Sequence, residues 1–266
     1  MTVPNHLNTS FRYLDVTVAP ADITSLIGRI RTELAAMNYV ESPTLTFKSP
    51  VDAAGRFFSV VLSAITTTRL GWQVLNQAGT DVMGGGRAFQ ISGTVDTSIR
   101  VYTNPYGVFV ESDIPSSTQE HAIAGMLDES PESQTSHAVY VYGNATRTSG
   151  GSSDGNYNSA GKLFMLDNLV AAQVDRIIGN TSNVGSQIPM LTGSGARLFR
   201  PAEVHAQIGA ALNRMGGRIY QAYIGDLAIG FEADLTIPID DVTTATFRCV
   251  SLPTAGSVWR LLLRKA

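Results

Sequence analysis

A single cysteine, Cys249 in the apolar run TFRCVSL, excludes an intramolecular disulfide and any cysteine-based zinc cluster. Its setting fits a small buried core residue, and no local motif supplies the base that a nucleophilic thiol needs. Lysine is scarce too, limited to Lys48, Lys162 and Lys265 against a larger arginine complement. Arginine suits bidentate contacts to carboxylates across interfaces, although compositional bias from a GC-rich genome also accounts for the preference. Charged residues make up only 15% of the chain, and 19 basic against 22 acidic side chains leave a formal charge of −3. That balance argues against broad nucleic-acid or anionic-membrane binding driven by charge. No apolar run approaches the roughly 18 residues needed to span a bilayer. Met1–Pro20 lacks the basic start and apolar core of a signal peptide. The expected setting is a soluble protein made in a cytoplasm, in which the sequons at Asn8, Asn144 and Asn180 are chance matches.

Catalytic signatures are also missing. The stretch Gly155 to Leu163 invites comparison with a phosphate-binding loop, but five residues rather than four separate Gly155 from Gly161, and Leu163 replaces the magnesium-holding Ser or Thr. Met83 to Gly86 and Thr192 to Gly195 are glycine-rich without the strand, helix and downstream acid of a dinucleotide fingerprint, and read as loop tips. His6, His121, His137 and His205 form no close pair, so the sequence offers no metal site. The Gly-x-Ser-x-Gly nucleophile elbow is absent. Glu232 and Asp234 are expected on one face of a strand with Asp240 and Asp241 at its end, the carboxylate pairing a glycoside hydrolase uses and an ordinary solvated strand also shows. Trp72, Tyr102, Tyr106, Tyr140 and Tyr142 suit either a sugar-stacking surface or packing between strands. No residue is assigned a catalytic, cofactor-binding or metal-ligating role, and no cofactor is implied.

What is present is alternation. RFFSVVLSAITT, LGWQVLNQ, RAFQIS and SIRVYTNPYGVFVES, between Arg56 and Glu111 or just beyond, read as one antiparallel meander broken by glycines, with a hairpin turn at Asn104-Pro105-Tyr106-Gly107. Upstream, Met1 to Ser10 is polar and expected to be loose, or ordered only against a neighbour, and FRYLDVTVA alternates as a strand. From Pro20 to Asn38, Ile23, Ile27, Ile30, Leu34 and Met37 recur at helical spacing, which predicts a helix covering the meander. A short helix is expected around His121 to Leu127 and a strand at His137 to Asn144.

Thr146 to Gly161 has almost nothing to bury, and the boundary between two parts is placed in residues 146–162. The first part, 1–145, holds a strand, the helix 20–38, the meander 56–111 and the strand 137–144. The second, 163–266, opens with helices at 163–179 and 201–215, the latter punctuated by Pro201, Glu203 and Gly216-Gly217, and continues as strands. The predicted fold class is α+β: antiparallel β-meanders covered by a few amphipathic helices, in two parts.

The GWQVLNQAG and RAFQISG pair, the SIRVYTNPYGVFVES hairpin, the flexible arms and the closing SVWRLLLRKA strand resemble structural proteins of tailed bacteriophage virions, namely neck, tail or baseplate subunits. The resemblance implies a non-enzymatic, ring-forming neck or tail component, a collar or gateway between portal and tail. It also implies homo-oligomerisation, contacts with neighbouring portal or adaptor and tail proteins, no sequence-specific nucleic acid or membrane partner, and location in the virion after synthesis in the host bacterial cytoplasm. Readings from other classes are a baseplate or receptor- or carbohydrate-binding module, and a carboxylate-dependent glycoside hydrolase.

Overall fold

Alternating apolar residues recur along the chain, and the computed structural model accordingly folds most of its described residues into antiparallel sheet. The structure describes residues 5–53, 55–79, 87–113, 119–128, 139–142, 163–167, 170–174, 176–177, 199–208, 212–226, 233–250 and 259–266. A 3₁₀ turn at Asn5–Leu7 leads into β1 (Arg12–Val18) and helix α1 (Ile23–Ala36). Then follow β2 (Val40–Glu41), β3 (Thr46–Lys48), β4 (Ser59–Thr66), β5 (Arg69–Leu75), β6 (Arg87–Gln90), β7 (Thr97–Asn104), β8 (Gly107–Asp113), β9 (Gln119–Asp128) and β10 (Val139–Tyr142). The later strands are β11 (Leu163–Asp167), β12 (Val170–Val174), β13 (Arg176–Ile177), β14 (Phe199–Ile208), β15 (Leu212–Asp226), β16 (Asp234–Pro238), β17 (Thr244–Val250) and β18 (Trp259–Arg264).

The expected meander is two sheets. Strands β2 to β6 pair in chain order as a five-stranded sheet, whereas β7 leaves it to pair with β1 at the end of a 13-stranded sheet whose main path runs β1-β7-β8-β9-β15-β18-β17-β16, with β10 to β14 paired off that path. The switch occurs at Ser92, whose amide donates to Thr97 Oγ1 (2.9 Å) while its own hydroxyl accepts from Thr94 and Val95. These local bonds turn the chain away before β7 can continue the ladder of β6. The hairpin at Asn104-Pro105-Tyr106-Gly107 forms where predicted, with Asn104 Oδ1 accepting from the Tyr106 amide at 2.8 Å.

Only α1 is an α-helix among the described residues, so the expectation of a few covering helices was too generous. Asp22 caps it by accepting from the Ser25 amide at 3.0 Å, and Asn38 ends it at φ 64, a left-handed conformation asparagine tolerates. Its buried face is Ile23, Leu26, Ile27, Ile30, Glu33 and Leu34. The helix packs against β1 and β7 of the large sheet and β4 and β5 of the small one. A shared core results, in which Leu26, Ile30 and Leu34 meet Phe47, Leu62 and Trp72 from one sheet and Ile99, Val101 and Val110 from the other.

Three other helical expectations are overturned. The described residues of 163–179 are β11, β12 and β13, and those of 201–215 lie in β14 and β15. Gly216-Gly217 is no helix end: Val204 faces Gly217 and His205 faces Met215, so Gly216 is the extra residue of a β-bulge. Likewise, His121 to Leu127 belongs to β9, whose residues Ala122 to Leu127 are all buried. A strand buried on both faces shows no alternation, and its unbroken apolar run resembles a helix. The predicted strand at 137–144 is present as β10. Residues 146–162 lie outside the described residues, and the large sheet takes strands from both sides of them, β9 pairing with β15 and β10 with β11.

Candidate functional site

Side chains alternate along a strand, so the antiparallel register fixes which residues share a face. Asp15, Arg100, Glu111 and His121 stand opposite one another across β1, β7, β8 and β9, next to a row formed by Tyr13, Tyr102, Phe109 and Ile123. Strand order separates β1 from β18 by four strands, yet Lys265 lies 5.3 Å from the Tyr13 ring and Arg264 lies 4.3 Å from the Phe11 ring. The sheet is therefore curled, with this face on its concave side.

Arg100 is the hub of the face. It lies 3.5 Å from Glu111, 3.8 Å from Asp15 and 4.0 Å from Asp113, and both it and Glu111 are buried. Glu111 has a side-chain exposure of only 1%, so Arg100 is what offsets the cost of placing a carboxylate there. Facing strands add Asp234, which receives Lys265 at 2.6 Å and Arg248 at 3.4 Å. Burial is the main cause that pushes the Tyr13 and Tyr102 phenols upward, reinforced by the hydrogen bond to Asp15 for Tyr13 and by the Glu111 charge for Tyr102. Tyr102 is buried and its hydroxyl makes no hydrogen bond. Chemically the face is a set of fixed, matched charges that specifies strand register, since a one-residue slip would send Arg100 to the opposite, apolar face.

A second polar constellation binds the arm before β1. Leu7 is buried among Tyr223, Ile237, Phe247, Cys249 and Leu262, and His6, also buried, meets Tyr223 edge-on at 6.0 Å. Gln221 Nε2 donates to the carbonyls of Leu7 (2.9 Å) and Thr9 (2.6 Å) and to Thr9 Oγ1 (2.8 Å). Arg264 Nη1 reaches the same Leu7 carbonyl and Gln221 Oε1, both at 3.2 Å. The loose N-terminal segment expected from its polarity is thus docked on its own chain over the described residues 5–10.

Gln221 holds an unusual backbone, φ 57, in an irregular part of β15. Strand β15 runs from Arg218 to Tyr223 while its partner β14 advances only from Glu203 to Pro201, and the surplus residues cannot keep the regular pleat. A small pocket opens beside them, lined by Phe11, Tyr102, Thr103, Phe109, Gln221 and Arg264. Desolvation in this region lowers the Arg264 pKa from its ordinary value.

The residues singled out by sequence scatter. Glu232 lies outside the described residues, so the expected carboxylate pair is not seen, and Asp234 is engaged by two cations. Asp240 is a turn residue whose carboxylate accepts from the Val242 and Thr243 amides, which hold its pKa down. Trp72 and Tyr102 are buried and unavailable for stacking on a sugar. Tyr106 is half-buried against Tyr220 at 4.8 Å, and the side chains of Tyr140 and Tyr142 are outside the described set. His121 and His205 belong to β9 and β14, and His137 is not described. Cys249 is buried and in no disulfide, as expected. Among the described residues no group of His, Cys, Asp and Glu is arranged to hold a metal, and no helix is long and apolar enough to cross a membrane. The two glycine-rich loops at 83–86 and 192–195 and nearly all of 155–163 lie outside the described residues.

No protein-family model matches the chain, and no curated protein matches it either.

Proposed function

We propose that this protein is a non-enzymatic structural subunit that works by assembling into a homo-oligomeric ring, and that the ring is a neck or tail component of a tailed-phage virion. The observation that carries the assembly reading is the pair of dissimilar edges on the large sheet. Among the described residues β1 pairs only with β7, and β16 pairs only with β17. An unpaired strand is a template for another chain, and joining two different edges head to tail gives a heterologous contact that closes into a ring when the rotation permits. The matched charges around Arg100 and Asp234 support the same reading, because they fix strand register from within. The virion assignment rests on the sequence resemblance.

Light scattering on the purified chain, followed by negative-stain imaging of the large species, tests the proposal. A closed ring of uniform mass is the expected result. A monomer at every concentration overturns self-assembly.

A further inference from the structure

We propose that the docking site for residues 5–9 is a receptor for the arm of a second copy, so that neighbouring subunits exchange these segments when the protein assembles. The inference rests on the assembly reading and names the contact that links subunits. Four observations lead to it.

First, the site is built without the rest of the N-terminal half. Every member of the apolar cluster around Leu7 other than Leu7 itself lies between Tyr223 and Leu262, and the two polar grips are Gln221 and Arg264. Second, recognition is addressed to a linear segment. The grips take the carbonyls of Leu7 and Thr9 and the Thr9 hydroxyl, while one apolar side chain fills the cluster. Such a segment makes the same bonds whichever chain delivers it. Third, the Gln221 backbone at φ 57 is held where a non-glycine residue is strained, and that strain aims its amide at the arm. Fourth, Asn5 to Ser10 carries no carboxylate, lysine or arginine, so no charge opposes its transfer, and it joins β1 at an open sheet edge. Exchange of an identical element conserves every contact it makes, leaving the association itself as the net gain.

The test uses the full chain. Asn8 is exposed between the two gripped residues, and an Asn8→p-benzoylphenylalanine variant places a photocrosslinker there without touching the grips. Equal amounts of nitrogen-14 and nitrogen-15 chains are mixed before assembly, the multimer is isolated and irradiated, and crosslinked peptides are weighed. Mixed-label crosslinks from residue 8 to β15 or β18 are expected, and same-label crosslinks alone in a multimer overturn arm exchange while leaving assembly intact. A chain that stays monomeric overturns both.

Gln221→Gly provides the second measurement. Glycine accepts the positive φ, so the variant deletes the amide and keeps the backbone. Because exchange conserves the arm's contacts, this loss weakens the closed monomer and the exchanged multimer alike and acts on the release of the arm: when preassembled multimers of the two labels are mixed, mixed-label crosslinks are expected to appear about tenfold sooner, with an unchanged circular dichroism spectrum of the monomer. An unchanged rate overturns Gln221 as the grip that must let go for arms to exchange.

Discussion

At the scale of residues, the balance on the concave face is between burial and pairing. Removing one member of a buried ion pair costs about 3–5 kcal/mol, because the remaining charge is left in a poorly solvating site. Arg100→Met should therefore lower stability by that order in urea denaturation, since Glu111 is almost fully enclosed. Arg100→Met combined with Glu111→Leu should be less destabilised than Arg100→Met alone, because neither charge then remains uncompensated. Tyr102 offers the opposite case. Its hydroxyl is buried without a hydrogen bond, so Tyr102→Phe should leave stability unchanged or raise it by about 1 kcal/mol near neutral pH. The tyrosines also set the alkaline limit. Burial raises the pKa values of Tyr13, Tyr102 and Tyr220 above the ordinary 10.0, so the folded chain keeps protons that the unfolded chain releases. Above about pH 10 the unfolded state binds fewer protons, and stability must fall as pH rises. Urea midpoints measured from pH 8 to pH 11 should show this decline, with a smaller loss in Tyr102→Phe.

Elements show which kinds of information a sequence carries. Helix α1 was legible because its apolar residues recur on one face only and both ends carry recognisable caps, Asp22 and Asn38. Leu26→Ala, at the centre of that face and fully buried, should cost about 2–5 kcal/mol, and Asp22→Ala about 1 kcal/mol, each read from thermal or urea unfolding. Sequence misassigned β9 because Ala122 to Leu127 are buried without alternation, and an unbroken apolar run matches a helix as well as a strand; β11, β12 and β14 were also misread as helical, since apolar residues at three- and four-residue steps occur in strands too. Pro201 and Gly216-Gly217 looked like helix punctuation, whereas Pro201 borders one register shift and Gly216 supplies the bulge of the other. The Arg100 row was hidden by the same logic. A lone arginine in SIRVYTN hints at a partner across the sheet, but Asp15 and Glu111 become its neighbours only once β1 and β8 flank β7. Gln221 left no signal at all, because an irregular register and a positive φ are properties of paired strands.

For the molecule as a whole, the contest is between two sheet edges that invite pairing and the devices that keep such edges apart. Strand β16 ends in Pro238, and α1 engages β1 through Glu33, which receives Arg12 at 2.7 Å. Neither feature adds a backbone partner, and among the described residues both edges are left able to accept a further strand. Lysine on an edge strand opposes such pairing by requiring solvation of its charge. Thr17 in β1 and Thr236 in β16 are exposed, which makes them places where a lysine meets little of its own chain. Thr17→Lys and Thr236→Lys should each change folding stability by no more than about 0.5 kcal/mol, the usual range for surface substitutions. Each should also lower the mass seen by light scattering, from the ring to small species, if β1 of one copy meets β16 of the next. Mixing the two variants gives a sharper outcome, because only a wild-type β1 edge can join a wild-type β16 edge. Each mixed pair then retains one competent junction of that kind, so the mixture should stop at dimers rather than close. Rings that persist in both variants would place the subunit contact elsewhere on the molecule and remove the sheet edges from the account of assembly.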